Sequence, residues 1–448
     1  MSLKQRFLKG LGANAFGQIV TALIQIVSVP VFLKNWGVEL YGEWIILSSI
    51  QSYFLMSDIG FSSVAANKMT MLVSNDKRNE ALVTFQSVQM FVSIISIIIF
   101  LFAITICSVF PVEKSLNIHL LSHKDVYIII LIMTLEVLIN LQIGFISAGF
   151  RCEGEYARGS FYFSLNRLLT FGSISISVIF GANPILASII SLVVSAICFT
   201  VMLKHLQRLY PWIQFGTQYV SLQEIKKLLI PASTFMAFPL GNALSIQGLI
   251  TIIGVTLGSH SVVIFSTLRT LTRFTWQIMN TINNSIWPEL SIAFGRGDLP
   301  LVRLLHRRAC QASLILSLIF IVLLSIFGLK IISIWTLGTI KPDRILFALM
   351  LVVIFFDAFW LTSSILPVAT NQHSKVSIYY LLGTSCSIVF SYIFLPKIGL
   401  YSAALSLLLI DFFMILVVIR TSMRISKDTY KDFVLSLIKV KSPLLLIK

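Results

Sequence analysis

The sequence predicts an all-α integral membrane protein of about twelve transmembrane helices in two six-helix lobes, with both termini in the cytoplasm. Three observations predict it. Of 448 residues, 57% are hydrophobic and 12% charged, with a mean hydropathy of +0.91, which lies outside the range of soluble globular domains. Apolar runs of about 20 residues, the length that crosses a bilayer, recur from end to end. The Lys and Arg residues sit in short clusters between those runs, heavily biased to one side, as membrane orientation requires.

Runs bounded by charge or by Gly/Pro clusters place helices near 11–33, 43–66, 82–110, 126–150, 159–180 and 184–203. A second set follows near 227–257, 261–287, 304–329, 345–369, 376–395 and 400–420. Between the sets, KHLQRLYPWIQFGTQYVSLQEIKK is the longest basic loop and reads as interfacial. The domains are therefore a first lobe at 1–206, a cytoplasmic linker at 207–226, a second lobe at 227–422 and a basic cytoplasmic tail at 423–448. The start, MSLKQRFLKG, is basic like a signal n-region. The apolar stretch after it runs too long and lacks an A-x-A-like cleavage site, so the first helix is expected to stay in the protein.

The net charge of +16 raises nucleic acid as a partner, but orientation in the bilayer explains the basic clusters without it. Only Lys34, Lys114, Lys124, Lys330, Lys341, Arg344 and Lys397 fall in outer loops, and Arg167, Arg269 and Arg273 fall within helices. The five cysteines are scattered, with no CxxC or Cys/His pairing, and point to neither a disulfide nor a metal.

The two halves share landmarks. Gly37 and Gly258 each begin a tight turn between the first two helices of a half, and Asp76 and Asp298 each precede a long helix, at offsets of 221 and 222 residues. A parallel repeat of this kind is one architecture of secondary transporters.

The segment RTLTRFTWQIMNTINNSIWPEL (269–290) occupies a membrane helix yet holds two arginines and three asparagines. At about 100° per residue, Arg273, Trp276, Asn280, Asn283, Asn284 and Trp287 all lie within about 60° of the direction of Arg269, opposite Ile264, Leu268, Leu271, Phe274, Ile278 and Ile282. Such a face must line water or a polar ligand. Each arginine near a helix centre costs about 2.5–3.5 kcal/mol. Two readings repay that cost. Buried carboxylates neutralise the arginines, with Asp58, Glu136, Glu289, Asp357 and Asp411 as candidates, or two guanidinium forks one turn apart bind a phosphate or diphosphate.

Milder polar stripes run along the first helix (Asn14, Gln18, Thr21, Gln25, Ser28), the second (Ser48, Gln51, Asp58, Ser62) and the seventh (Asn242, Ser245). Each reads equally as helix-to-helix glue or as cavity lining. Amides and hydroxyls with Trp276 or Trp287 suit a sugar, by hydrogen bonding and by stacking. Glu136, Asp357 and Asp411 interrupt apolar runs and are candidates for H⁺ or Na⁺ coupling. Arg167 reads as a third cavity cation or as a snorkelling residue at the inner surface, the second being favoured.

The stretch VFLKNWGVELYGEWIILSSIQSYFLMSDIGFSSVAANKM (31–69) resembles the start of polysaccharide flippases. It has their Gly-x-x-x-Tyr-Gly turn, at Gly37, Tyr41 and Gly42, and then an Asp-hydrophobic-Gly element, at Asp58 and Gly60. The chain thus resembles the Wzx-type O-antigen or polysaccharide repeat-unit flippases of the MOP exporter superfamily. The resemblance implies a MATE-like fold in the bacterial inner membrane and no enzymatic role or cofactor. It also implies a cationic lumen and transport of undecaprenyl-diphosphate-linked glycans to the outer leaflet, with membrane lipid and the glycan polymerase machinery as further partners. Arg269 and Arg273 match the lumen cations it implies for the second lobe. The first lobe departs from it, since its early helices carry no central arginine. On these residues the expected substrate contacts are Arg269, Arg273, Trp276, Asn280, Asn284, Gln18, Gln25 and Asp58.

Two other readings compete. A cation-coupled multidrug exporter wants carboxylates facing the cavity, whereas the clearest polar face presents arginines. A membrane-embedded glycan polymerase or ligase wants a substantial outer loop. His119, His123 and Asp125 lie in a short one and read as ordinary solvated residues.

Overall fold

The computed structural model describes residues 3–55, 61–235, 237–370 and 372–438, excepting the side chains of 3–11, 230–235, 284, 289 and a few others. The described residues form helices joined by short turns and contain no strand. Nine of those helices are long and apolar enough to cross a membrane, so the chain is a multi-pass membrane protein.

The run expected at 11–33 and the first part of that expected at 43–66 share one helical stretch, α1 (Leu3–Leu55), interrupted at Gly37; the second run ends in α2 (Phe61–Ser74), beyond residues 56–60, which lie outside the described residues. The φ of 75° and ψ of 179° at Gly37 belong to a region essentially closed to residues with a Cβ. Gly258 takes a φ of 82°, so both glycines singled out in the sequence supply a left-handed turn. The helices that follow are α2 (Phe61–Ser74), α3 (Arg78–Val109), α4 (Val112–Ser115), α5 (His123–Cys152), α6 (Tyr156–Ile179) and α7 (Pro184–Leu209). The helix expected at 227–257 is described as α8 (Leu222–Phe235), α9 (Ala237–Ala243), a π-helical turn (Leu244–Gly248) and α10 (Leu249–Leu257). Beyond it run α11 (Ser259–Gly295), α12 (Leu299–Trp335), α13 (Arg344–Ser363), α14 (Ile365–Ala369), α15 (Ser374–Ile398), α16 (Tyr401–Ser426) and α17 (Tyr430–Ile438).

Two compact units result, Met1–Pro239 with Gly258–His260, and Leu240–Leu257 with Ser261–Lys448. In the first, α1 packs along α6, and α5 against α3, α6 and α7. Its core is aromatic and branched, around Phe85, Phe145, Phe150, Met69, Ile143 and Leu206. Buried Glu43 accepts three backbone N–H groups of the 119–121 segment, from His119 at 2.7 Å, Leu120 at 2.7 Å and Leu121 at 3.1 Å. Glu39 accepts from the Ser259 hydroxyl at 2.6 Å. Gly42 lets the chain approach there, because a Cβ on it would lie 2.4 Å from the Ser259 carbonyl oxygen. Gly42→Val is therefore expected to destabilise this unit by about 1–3 kcal/mol through overpacking. Thermal melting in detergent reads the loss, and an unchanged Tm would refute the close approach.

The loop histidines and acids act as local anchors. Ser122 and Asp125 form a capping box at the start of α5, and His123 Nδ1 lies 2.7 Å from Glu113. That hydrogen bond holds the Glu113 carboxyl below its ordinary value of 4.5. A carboxylate with a depressed folded pKa adds stability above its unfolded pKa and loses it as pH falls through the folded one. Amide-exchange protection in residues 112–122, relative to the intrinsic rate at each pH, should therefore fall as pH drops below 4.5, and His123→Ala should remove that acid dependence.

In the second unit α12 packs on α13 and α17, α13 on α16, and α15 on α10 and α16. Asp298 caps α12 by accepting the Leu301 N–H at 3.0 Å, and Asp343 caps α13 through Ile345 and Leu346. Both acids are thus structural.

Candidate functional site

Helix α11 spans 37 residues yet is not among the nine apolar spans, because its polar residues lower its hydropathy. Arg269 Nη2 donates to Ser245 Oγ at 3.1 Å, while Nη1 is buried with no partner among the described residues. Ser245 belongs to the π-helical turn at 244–248, a deviation that often marks functional positions. The Arg269 guanidinium lies 5.7 Å from the centre of the Phe265 ring, and that of Arg273 lies 5.3 Å from Trp276. Both side chains are laid along aromatic faces, where a cation is attracted to the ring quadrupole.

Two carboxylates share this unit. Asp357 on α13 acts electrostatically on both arginines and Asp411 on α16 acts on Arg269. Neither forms an ion pair with an arginine among the described residues. The carboxylates therefore offset the positive field without occupying the guanidinium forks. Asp411 Oδ1 accepts the Trp360 indole N–H at 2.9 Å, and its Oδ2 is buried with no partner among the described residues. The Trp360 and Tyr380 rings lie 5.3 Å apart, and Tyr380 packs on Gly241, where a Cβ would meet the ring at 2.7 Å. Two arginines, two acids and an aromatic pair thus belong to one unit. Ser245, Trp360 and Tyr380 complete it and were not foreseen as members of the arginine site. The spacing of Trp360 three residues after Asp357, which puts both on one side of a helix, was the available signal for one of them. Trp276 and Asn280 are half-buried, Trp287 is exposed, and Asn283 is buried with an unpartnered Oδ1. The Asn284 side chain and all of Asp58 lie outside the described residues.

The first unit holds its own polar groups. On α1, Gln18 is exposed and Gln25 half-buried. Arg167, which is exposed, donates from Nη1 to Thr21 in the same stripe at 3.2 Å. Tyr156 donates to Asn14 at 3.2 Å. Glu136, buried on α5, accepts from Gln51 Nε2 at 3.2 Å and from Ser195 at 3.4 Å, with no ion-pair partner among the described residues. Around it Asn166 donates to Asn140 at 2.8 Å, and Thr170 lies 3.4 Å from Ser195.

No protein-family model matches the chain, and no curated protein matches it in sequence. Solved structures do match. An inward-facing multidrug resistance MATE family transporter of the MOP superfamily superposes with a TM-score of 0.77, over 90% of this chain and 94% of its own, at 13% identity. The fold is the MATE fold. The MATE multidrug transporter DinF-BH, in complex with R6G, gives 0.69 over 94% and 96% of the two chains at 13% identity. A MATE structure in the bent conformation gives 0.63 over 97% of each at 14% identity. At such identities the MATE fold is shared without a cargo being implied, and the cargo has to be read from side chains.

Proposed function

We propose that the chain is a flippase that moves undecaprenyl-diphosphate-linked oligosaccharide repeat units across the bacterial inner membrane by alternating access. The observation that carries this reading is the state of the α11 arginines. Two guanidinium groups sit one helical turn apart in a membrane protein, and one buried Nη1 has no partner among the described residues. A buried guanidinium donor without an acceptor is costly, and a diphosphate supplies the acceptors in the geometry a guanidinium matches best. In this reading Arg269 and Arg273 bind the diphosphate, and Trp276 and Asn280 contact the first sugars. Asn284, Gln18, Gln25 and Asp58 are proposed as further glycan contacts. Two negative charges moving outward across an inside-negative membrane gain about 4.6 kcal/mol per 100 mV, enough to drive the step. Glu136, Asp357 and Asp411 are proposed to return H⁺ or Na⁺.

A second reading, a cation-coupled multidrug exporter, is favoured by Asp411 and its aromatic neighbours. A buried carboxylate oxygen without a partner, beside Trp360 and Tyr380, suits an organic cation.

Deleting the gene and measuring the size and leaflet of undecaprenyl-diphosphate-linked sugars separates the two. Under the flippase reading single repeat units accumulate in the inner leaflet and the wild-type chain clears them. Unchanged lipid-linked sugars, together with new sensitivity to cationic dyes, would transfer the assignment to the exporter.

A further inference from the structure

Between α13, α16 and α17 lies an apolar groove of about 540 Å³, walled by Phe359, Ile415, Ile419 and Val434 and ending at Arg420 and Tyr430. That volume falls within the range of ligand pockets, about 300–1,000 Å³. The groove is held open by the way α17 is fixed. Arg307 on α12 grips Asp428 through two hydrogen bonds, from Nε at 2.8 Å and from Nη2, and the Asp428 side chain is almost fully buried. Thr429 and Asp432 then cap α17 reciprocally. Phe433, itself buried, stacks on His306 with ring centres 5.3 Å apart and an interplanar angle of 17°. So α17 is pinned to α12 on one face, while its Val434 and Leu435 stay exposed on others.

We propose that this groove binds an anionic phospholipid, one acyl chain lying along α16 and the phosphate resting on the Arg420 guanidinium and the Tyr430 hydroxyl. The depth of the groove argues for a lipid. It runs along a membrane-crossing helix whose Phe412 and Leu416 are more than half exposed, so hydrocarbon is the available occupant. The charge at its end argues for an anion. Arg420 is exposed with no ion-pair partner among the described residues. Arg424, Lys427 and Lys431 are exposed nearby in sequence, whereas Asp428 is taken by Arg307. An arginine with no ion-pair partner among the described residues, in an apolar cleft beside a membrane-crossing helix, matches a lipid phosphate in both charge and fork geometry. The proposal requires only that α16 crosses the bilayer and is independent of the transported cargo.

The test uses the full chain purified in a mild detergent, exposed to phosphatidylglycerol or phosphatidylcholine of identical acyl chains, with retained lipid counted by native mass spectrometry. Phosphatidylglycerol should be retained at least tenfold better. Arg420→Gln should bring its retention down to that of phosphatidylcholine, and Val434→Trp, which fills the groove at an exposed position, should lower retention of both. Equal retention of the two lipids by the wild type, or a phosphatidylglycerol preference that survives Arg420→Gln, overturns the proposal. A melting curve for Arg420→Gln that matches the wild type shows that a lost preference reports the site and not the fold.

Discussion

Replacing Arg269 and Arg273 together by Gln should weaken binding of undecaprenyl-diphosphate-linked glycan by about 10²–10⁴-fold. Each charge-assisted hydrogen-bonding contact to phosphate contributes about 1.5–3 kcal/mol, and every 1.4 kcal/mol is a factor of ten. The single variants should fall between, with Arg269→Gln the more severe, because Arg269 holds the unpartnered buried donor. Lysine at both positions keeps the charge and loses the fork, so it should restore part of the binding only. The measurement is titration of the purified protein with a lipid diphosphate, read beside its melting temperature. Because Asp357 and Asp411 lose a countercharge in these variants, a fall in Tm is expected as well. Affinity within twofold of wild type in a folded double variant would remove the arginines from the site and the flippase reading with them.

The second large effect concerns Glu136. Its carboxylate is buried in a helix that crosses the membrane, and neutral groups, Gln51 and Ser195 among them, meet it. An uncompensated charge at that depth is costly, so a proton or a monovalent cation is expected to occupy it during part of the cycle. Glu136→Gln keeps a hydrogen-bonding side chain of the same size and deletes the charge. In vesicles, the part of transport that responds to an imposed H⁺ or Na⁺ gradient should drop at least tenfold in this variant. The part driven by membrane potential alone should remain. A gradient response equal to that of the wild type would exclude Glu136 as the coupling group. Asp411→Asn would then be the next variant to test, given its unpartnered Oδ2.

Much of the architecture was legible in the chain because a bilayer imposes simple rules. Helices have to be about 20 residues long, apolar outside, and punctuated by charge and glycine. Gly37 and Gly258 were recognisable as turns because only glycine takes those backbone angles cheaply. The polar face of α11 was legible because a period of 3.6 residues converts spacing into direction. The π-helical turn at 244–248 was not. It inserts a residue into an otherwise α-helical stretch, and periodicity alone carries no mark of it.

The sequence by itself determined that this is a multi-pass helical membrane protein with a cationic stripe on α11, since those properties follow from composition and from helical geometry within single segments. Only the tertiary structure decided which residues surround that stripe. Asp357 and Asp411 could have clamped the arginines in ion pairs, and they act on them without doing so. Trp360 and Tyr380 come from helices far along the chain, and Arg167 turns out to be engaged by Thr21. Contacts between helices depend on how faces meet, and in a membrane small differences in packing and hydrogen bonding decide that, where hydropathy along any one helix is nearly blind to it.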